Sequence, residues 1–201
     1  MRLYSMPSSG NSYKVRLLLA LLARPCEIVD VEYQTQALDR AKAEGRLPFG
    51  KAPVLELDDG RLLPESNAIL TWLAEGSAFL PADPLLRAEM LSWMFWEQNQ
   101  HEGVVAVRAS LRHYPSRRAQ ATPERMAELL ERGHELLGIM ERHLATRQWL
   151  VGDAVSLADI CLYAYTHTAE SRGGYDMARF PAINAWLARV AAMPGYVGLG
   201  V

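Results

Sequence analysis

Thiols are nearly absent from this chain of 201 residues: there are two cysteines, Cys26 and Cys161, far apart and each in apolar surroundings. With no CxxC and no pair at ligand spacing, neither a disulfide scaffold nor a zinc site is indicated, no metal is expected, and both thiols read as small buried hydrophobes. An excess of charge is missing too. Lys and Arg number 21 against 23 Asp and Glu, a net charge of -2, which offers no electrostatic footprint for nucleic acid or an acidic membrane. A basic cluster, Arg112, Arg117 and Arg118, is short and reads as a solvated loop. There is no apolar stretch long enough to span a bilayer and no basic-then-apolar start of a secretory leader, so a cytoplasmic protein is expected. Internal repeats and low-complexity tracts are lacking as well. What remains is ordinary globular material, 50% hydrophobic and 22% charged, enough for one large domain or two small ones.

The most informative stretch is GRLPFGKAPVLELDDGRLLPESNAIL, residues 45–70. An Asp-Gly turn between two short apolar runs reads as a hairpin. Glu65 and Ser66 then fall at the start of a helix carrying Ile69, Leu70, Trp72 and Leu73, where unsatisfied backbone N–H groups and the helix dipole favour an anion. Pro53 stands at the mouth of the first strand of the hairpin and cannot donate to a ladder. A cis peptide there would turn the following backbone groups towards a ligand. The combination makes a receptacle for a small, peptide-like, charged ligand.

Strand and helix signals alternate through the first part of the chain. Residues 2–6 read as a strand and 7–10 as a loop. Asn11 or Ser12 is positioned to cap a helix carrying Val15, Leu17, Leu18, Leu19, Leu21 and Leu22, which Pro25 ends. Residues 27–31 alternate as a strand, 38–43 form a short helix, and the hairpin and a helix over 65–74 follow. The order βαβαββα is that of an α+β, thioredoxin-like domain, assigned to residues 1–76, whose first two strands can run parallel because a helix joins them. After Gly76 the strand signals stop, and Pro81-Ala-Asp-Pro84 punctuates a linker. Residues 85–201 read as an all-α domain. Its first segment runs over 85–113, with Gly103 as the point where it can bend. A second helix is capped by Thr122, with Pro123 in the favoured first position, and runs to Leu144. Residues 148–151 read as extended, and further helices start near Ser156 and Pro181. Ser156-Leu-Ala-Asp159 has the form of a capping box, a folding device.

GKAPVLELDDGRLLPESNAIL is similar to the glutathione-binding segment of the glutathione transferases, and the chain resembles that family along its whole length, in its bacterial theta- and nu-like branches. The resemblance implies a cis proline at Pro53 after Ala52, and a backbone pairing of Val54 with the cysteinyl unit of glutathione. Glu65 and Ser66 would hold the γ-glutamyl end, and Lys51 would meet the glycine carboxylate. Read without the family, Lys51 is a solvated surface lysine and Glu65 and Ser66 are capping residues.

Transfer from glutathione needs its thiolate, and at a thiol pKa of ~8.5 only roughly 3% is ionised at neutral pH. Lowering that pKa by ~2 units is worth about 2.7 kcal/mol, within reach of one or two hydrogen bonds made only to the anion. A loop that leaves the first strand and opens a helix suits such a donor, because the dipole adds to it. Here that loop reads Pro7-Ser8-Ser9-Gly10-Asn11-Ser12-Tyr13-Lys14. Theta- and delta-like relatives carry a catalytic serine at the Ser9 position. Nu-type proteins carry asparagine at the Asn11 position in a P-N-G-x-K pattern, and S-G-N-S-Y-K combines features of both while departing from each. A hydroxyl and an amide N–H can each donate to sulfur; the resemblance favours Ser9, followed by Asn11. Ser12 and Tyr4 are weaker alternatives, Tyr4 reading as a core aromatic.

On the long helical segment, Trp93, Glu97, His101 and Arg108 fall within one narrow face at about 100° per residue. They are candidates for lining a second-substrate pocket, with a solvated face or an intersubunit salt bridge as the alternative. The implied function is a glutathione S-transferase of the detoxification type. Glutathione is then a substrate, no cofactor is needed, and a small hydrophobic electrophile accepts the sulfur between the two domains. Family resemblance also implies a homodimer. A glutathione-dependent disulfide-bond reductase, and a non-catalytic binding or regulatory protein on the same scaffold, are the alternatives.

Overall fold

A computed structural model of the chain describes residues 1–200. They divide into two compact units, Met1–Leu80 together with the residues from Ala191 onward, and Pro81–Val190.

In the first unit the elements follow the expected order: β1 (Arg2–Ser5), α1 (Gly10–Leu21), β2 (Glu27–Asp30), α2 (Gln36–Ala43), β3 (Val54–Glu56), β4 (Leu62–Pro64) and α3 (Ser66–Leu73). The sheet order is β2-β1-β3-β4. β1 and β2 are parallel, with Leu3 opposite Ile28, and the other pairs are antiparallel, with Leu3 opposite Leu55 and Leu55 opposite Leu63. The crossover through α1 permits the parallel pair, and Asp59-Gly60 turns the hairpin. Leu3 and Leu55 are fully buried along with Val15, Leu17 and Leu18 of α1 and Ile69, Leu70 and Leu73 of α3, and α1 packs on α3. Tyr4, Val31, Leu38, Ala41, Leu47 and Val54 form a core cluster in the same unit.

Helix starts differ from the sequence reading for identifiable reasons. α1 is capped by Ser9, not by Asn11 or Ser12, because Ser9 is extended and its side chain accepts from the Ser12 N–H. α2 begins at Gln36 because Thr35 caps it by accepting from the Leu38 N–H. The 85–201 boundary also needs correction. Residues beyond Ala191 group with the first unit, where the phenol of buried Tyr13 donates to the Val197 carbonyl at 2.8 Å and Arg16 donates to the Leu199 carbonyl at 3.3 Å.

The second unit is helical. α4 (Pro84–Trp96) is capped by Asp83, and α5 (Val107–His113), α6 (Pro123–Leu144), α7 (Leu157–Thr166) and α8 (Pro181–Ala191) follow. Residues 85–113 are helical throughout, and the segment changes type around Gly103, with a π-helix over Glu97–Ala106. Thr122 and Pro123 start α6 as expected, and the capping box at Ser156 and Asp159 is present. Residues 148–151 form bends, not an extended stretch, because the Leu150 N–H is drawn to the Asp159 carboxylate at 3.0 Å. No helix among the described residues is long and apolar enough to cross a membrane.

Candidate functional site

The loop after β1 is braced from several sides. The Met6 N–H donates to Ser12 Oγ at 2.9 Å. The Ser8 N–H and hydroxyl donate to the Glu32 carboxylate at 2.9 and 2.7 Å. Arg16 donates to Ser5 Oγ at 3.0 Å and to the Pro7 carbonyl at 2.9 Å, and its burial pulls the guanidinium below its usual range, opposed by Asp30 and Glu32 among others. These contacts decide two of the candidates. Ser12 is fully buried with its oxygen on the Met6 N–H, so it braces the loop. Tyr4 is buried, and its hydroxyl donates to Glu56 Oε2 at 3.1 Å; it is a core aromatic.

Ser9 and Asn11 sit at the opening of α1. Ser9 Oγ accepts from the Ser12 N–H at 3.5 Å, which leaves its hydroxyl proton to point elsewhere. Asn11 Oδ1 accepts from the Lys14 ammonium at 2.8 Å and from the Ser66 hydroxyl at 3.2 Å. Ser66 is the first residue of α3. The loop candidate and the hairpin-side candidate are therefore joined by a direct hydrogen bond. Glu65, just outside α3, holds φ 71 and ψ 116, a conformation that costs a non-glycine residue of order 1–3 kcal/mol and collects at functional sites. Its side chain is exposed beside the helix N-terminus, while its carbonyl accepts from the Ile69 N–H at 2.9 Å.

The Ala52-Pro53 peptide is cis, as the family pattern implies. Val54, the first residue of β3, lies opposite Tyr4 on β1 and Pro64 on β4, and Pro64 has no N–H for the ladder. Lys51 is exposed. Neither α1 nor α3 carries an acid within its first turn, and at α3 the Glu65 carboxylate stands just outside it, at the N-cap. The first unit thus gathers two helix N-termini, a hydroxyl, an amide and an exposed carboxylate. Sequence reasoning missed Lys14, Arg16 and Glu32. The i,i+3 spacing of Asn11 and Lys14 was a legible signal for the first of these.

Arg108, Glu97 and His101 do not form the expected pocket lining within the helical unit. All three are buried. The Gln98 amide and the Cys161 thiol donate to Glu97 Oε2 at 2.7 and 3.3 Å. His101 Nε2 lies 3.2 Å from the Thr166 hydroxyl. Arg108 Nε donates to the Gly173 carbonyl at 2.8 Å and Nη1 to the Met126 carbonyl, while the guanidinium covers the Tyr175 ring. Trp93 is half-buried, with its ring edge-on to Trp96 and His143. Buried and bonded in this way, these polar groups tie helices together internally. Among the described residues no group of three or more His, Cys, Asp or Glu is placed to hold a metal ion.

Comparison with known proteins decides the family. Residues 3–78 match the model of the glutathione S-transferase N-terminal domain, and residues 104–194 that of the C-terminal domain. The chain belongs to the glutathione S-transferase family. A glutathione S-transferase crystal structure from Pseudomonas fluorescens is 42% identical with a TM-score of 0.92, covering 98% of each chain. Another, of a possible family member from Rhodopseudomonas palustris, is 40% identical with a TM-score of 0.92 over 100% of this chain and 98% of that one. Among curated relatives, glutathione S-transferase 3 of Zea mays is 32% identical over 98% of this chain and 91% of its own length. Members of the glutathione S-transferase family similar to this chain carry varied roles. The disulfide-bond oxidoreductase YfcG of Escherichia coli is 27% identical over 96% of this chain and 90% of its own, and elongation factor 1-gamma of Danio rerio is 28% identical over 79% of this chain and 36% of its own.

Proposed function

We propose that this chain is a glutathione transferase that conjugates glutathione thiolate to a small, hydrophobic electrophile. The observation that carries the reading is the bond from Ser66 Oγ to Asn11 Oδ1, which couples the residue expected to hold the γ-glutamyl end to a donor expected at sulfur. Glutathione lies along Lys51, Ala52, Pro53 and Val54, with its cysteinyl unit on the Val54 backbone and its ammonium at Glu65. Asn11 takes the main sulfur role and Ser9 a supporting one, a reversal of the order favoured by sequence. The reason is that Asn11 is joined directly to Ser66, the residue expected at the γ-glutamyl end, whereas the Ser9 oxygen caps α1.

Calorimetry with glutathione and the ultraviolet absorbance of bound thiolate against pH test this reading. Asn11→Ala should raise the pKa of the bound thiol and lower turnover of an aryl halide, with Ser9→Ala doing so less. Such interactions made with thiolate alone change kcat more than affinity. Absence of glutathione binding by the parent would leave the non-catalytic reading. A second reading, reduction of disulfides with glutathione as the redox thiol, is favoured by the asparagine in the loop and by the burial of Cys161. Turnover of hydroxyethyl disulfide above that of aryl halides would select it. The protein is further proposed to act as a homodimer in detoxification, and light scattering would read its mass.

A further inference from the structure

We infer that Arg16 and Glu32 are positioning residues for the sulfur site: a cation and an anion grip the two ends of one peptide unit, Pro7-Ser8, and so set the turn that delivers Ser9 and Asn11. This rests on the glutathione reading above. The chain leaves β1 through a tight turn over residues 6–9, closed by the Ser9 N–H on the Met6 carbonyl at 3.1 Å. Proline holds the second place of that turn, where its fixed φ is suited. Ser9, the last residue of the turn, is also the cap of α1. The direction of the Ser9 side chain and of the start of α1 therefore follows from the plane of the turn's central peptide, Pro7-Ser8.

That plane is held from both sides. The Pro7 carbonyl accepts from Arg16 Nη2 at 2.9 Å. The N–H of the same peptide unit, carried by Ser8, donates to Glu32 Oε2 at 2.9 Å. Both bonds are charge-assisted, roughly twice as strong as their neutral counterparts. Turning the peptide over would set its oxygen against the carboxylate and its N–H against the guanidinium. It would also demand a positive φ at Ser8, which Ser8 does not have. Each holder is itself fixed. Arg16 donates to Ser5 Oγ at 3.0 Å, at the end of β1, and to the Leu199 carbonyl at 3.3 Å. Glu32 Oε1 accepts from the Ser8 hydroxyl and the Tyr33 N–H, both at 2.7 Å. Being opposite in charge, the two residues would act through space on a thiol with opposite signs, whereas a shared grip on one peptide makes their effects alike.

The thiolate titration of bound glutathione tells the two apart. Glu32→Gln removes a negative charge, which through space would lower the pKa of the bound thiol. Loss of the grip should instead raise it by about half a unit, with kcat/KM below that titration falling about threefold. Arg16→Lys keeps the charge but replaces a planar fork with a point donor, and should raise the titration by a similar amount. In the double variant the shift should stay close to the larger single shift, because a peptide released at one end has little left to lose at the other. Ser8→Ala, which drops the hydroxyl and keeps the peptide N–H, should titrate close to the parent. S-methylglutathione, which has no thiol to ionise, should bind every variant within about twofold of the parent, since the grip serves the sulfur donors. Should Glu32→Gln not fold, Arg16→Lys against Ser8→Ala puts the same question. A bound thiol that titrates at or below the parent value in Glu32→Gln would overturn the inference. So would an Arg16→Lys titration no higher than that of Ser8→Ala, a double variant showing the sum of the single shifts, or an equal loss of S-methylglutathione affinity. A parent protein that binds no glutathione at all would instead remove the functional reading on which it stands.

Discussion

Replacing Asp159 tests the reasoning about the helical unit most directly. Its Oδ1 accepts from the Leu150 N–H at 3.0 Å and the Trp186 indole N–H at 2.9 Å, and its Oδ2 from the Ser156 N–H at 2.8 Å and the Ser156 hydroxyl at 3.1 Å. One carboxylate thus caps α7, ends the 148–151 segment and anchors α8. Asp159→Ala leaves three buried N–H donors without acceptors. At about 1–3 kcal/mol for each orphaned group the sum could reach roughly 9 kcal/mol; relaxation and entering water reduce this to about 3–5 kcal/mol, the range for removing one partner of a buried charged contact. Asp159→Asn keeps one acceptor oxygen for two of the donors and sets its NH₂ against the Ser156 N–H, so it should cost about 1–3 kcal/mol. Urea unfolding followed by circular dichroism and tryptophan fluorescence reads both values, provided the slope is unchanged. An alanine variant within about 1 kcal/mol of the parent, or an asparagine variant less stable than it, would refute the assignment. The pH dependence carries a sign of its own. Burial pushes the Asp159 carboxyl up, against the opposing pull of its hydrogen bonds. A raised folded-state pKa means that the group's contribution is complete in acid, below the ordinary aspartate range, and is lost as pH rises through the folded-state value. The stability advantage of the parent over Asp159→Asn should therefore shrink as pH climbs through that window, and an advantage that grew would contradict the direction.

Three further substitutions probe other parts of the molecule. Glu65→Gly should separate stability from binding: glycine adopts φ 71 without strain, offsetting about 1–3 kcal/mol, so thermal stability should hold or rise. Glutathione affinity should nevertheless fall by about 2 kcal/mol, roughly 30-fold, as the ligand ammonium loses a charged partner, and retained affinity in calorimetry would remove Glu65 from the site. Gly133→Ala would set a Cβ 2.2 Å from the Tyr175 ring, which is buried and held by its hydroxyl on the Leu129 carbonyl at 3.0 Å, so overpacking should cost about 1–3 kcal/mol or more. Gly138→Ala on the same helix meets only the end of the Arg142 side chain at 3.4 Å and should stabilise by up to about 1 kcal/mol; equal melting temperatures for the two variants would refute the packing argument.

The order βαβαββα, the hairpin turn at Asp59-Gly60, the start of α6 at Thr122 and Pro123 and the capping box at Ser156 and Asp159 were all legible in the chain, because each depends on local chemistry within a few residues. Positions expected to meet glutathione were named from the same short stretches. Tertiary contacts decided the rest. That Ser9, and not Asn11 or Ser12, caps α1 turned on the conformation of a loop braced by Arg16 of α1 and by Glu32, which lies 24 positions from Ser8. The i,i+3 spacing of Asn11 and Lys14 was legible, but the burial of Lys14 was not, since a lysine in a helical pattern reads as solvated. Glu97, His101 and Arg108 read as candidates for a pocket lining because their burial is not legible in the sequence; their partners, Cys161, Thr166 and Gly173, come from residues some 65 positions away. Local pattern thus determined which elements form, while burial and long-range hydrogen bonding determined what the polar side chains on them do. A polar group removed from water must find a partner wherever the fold supplies one, and sequence spacing alone does not say where that is.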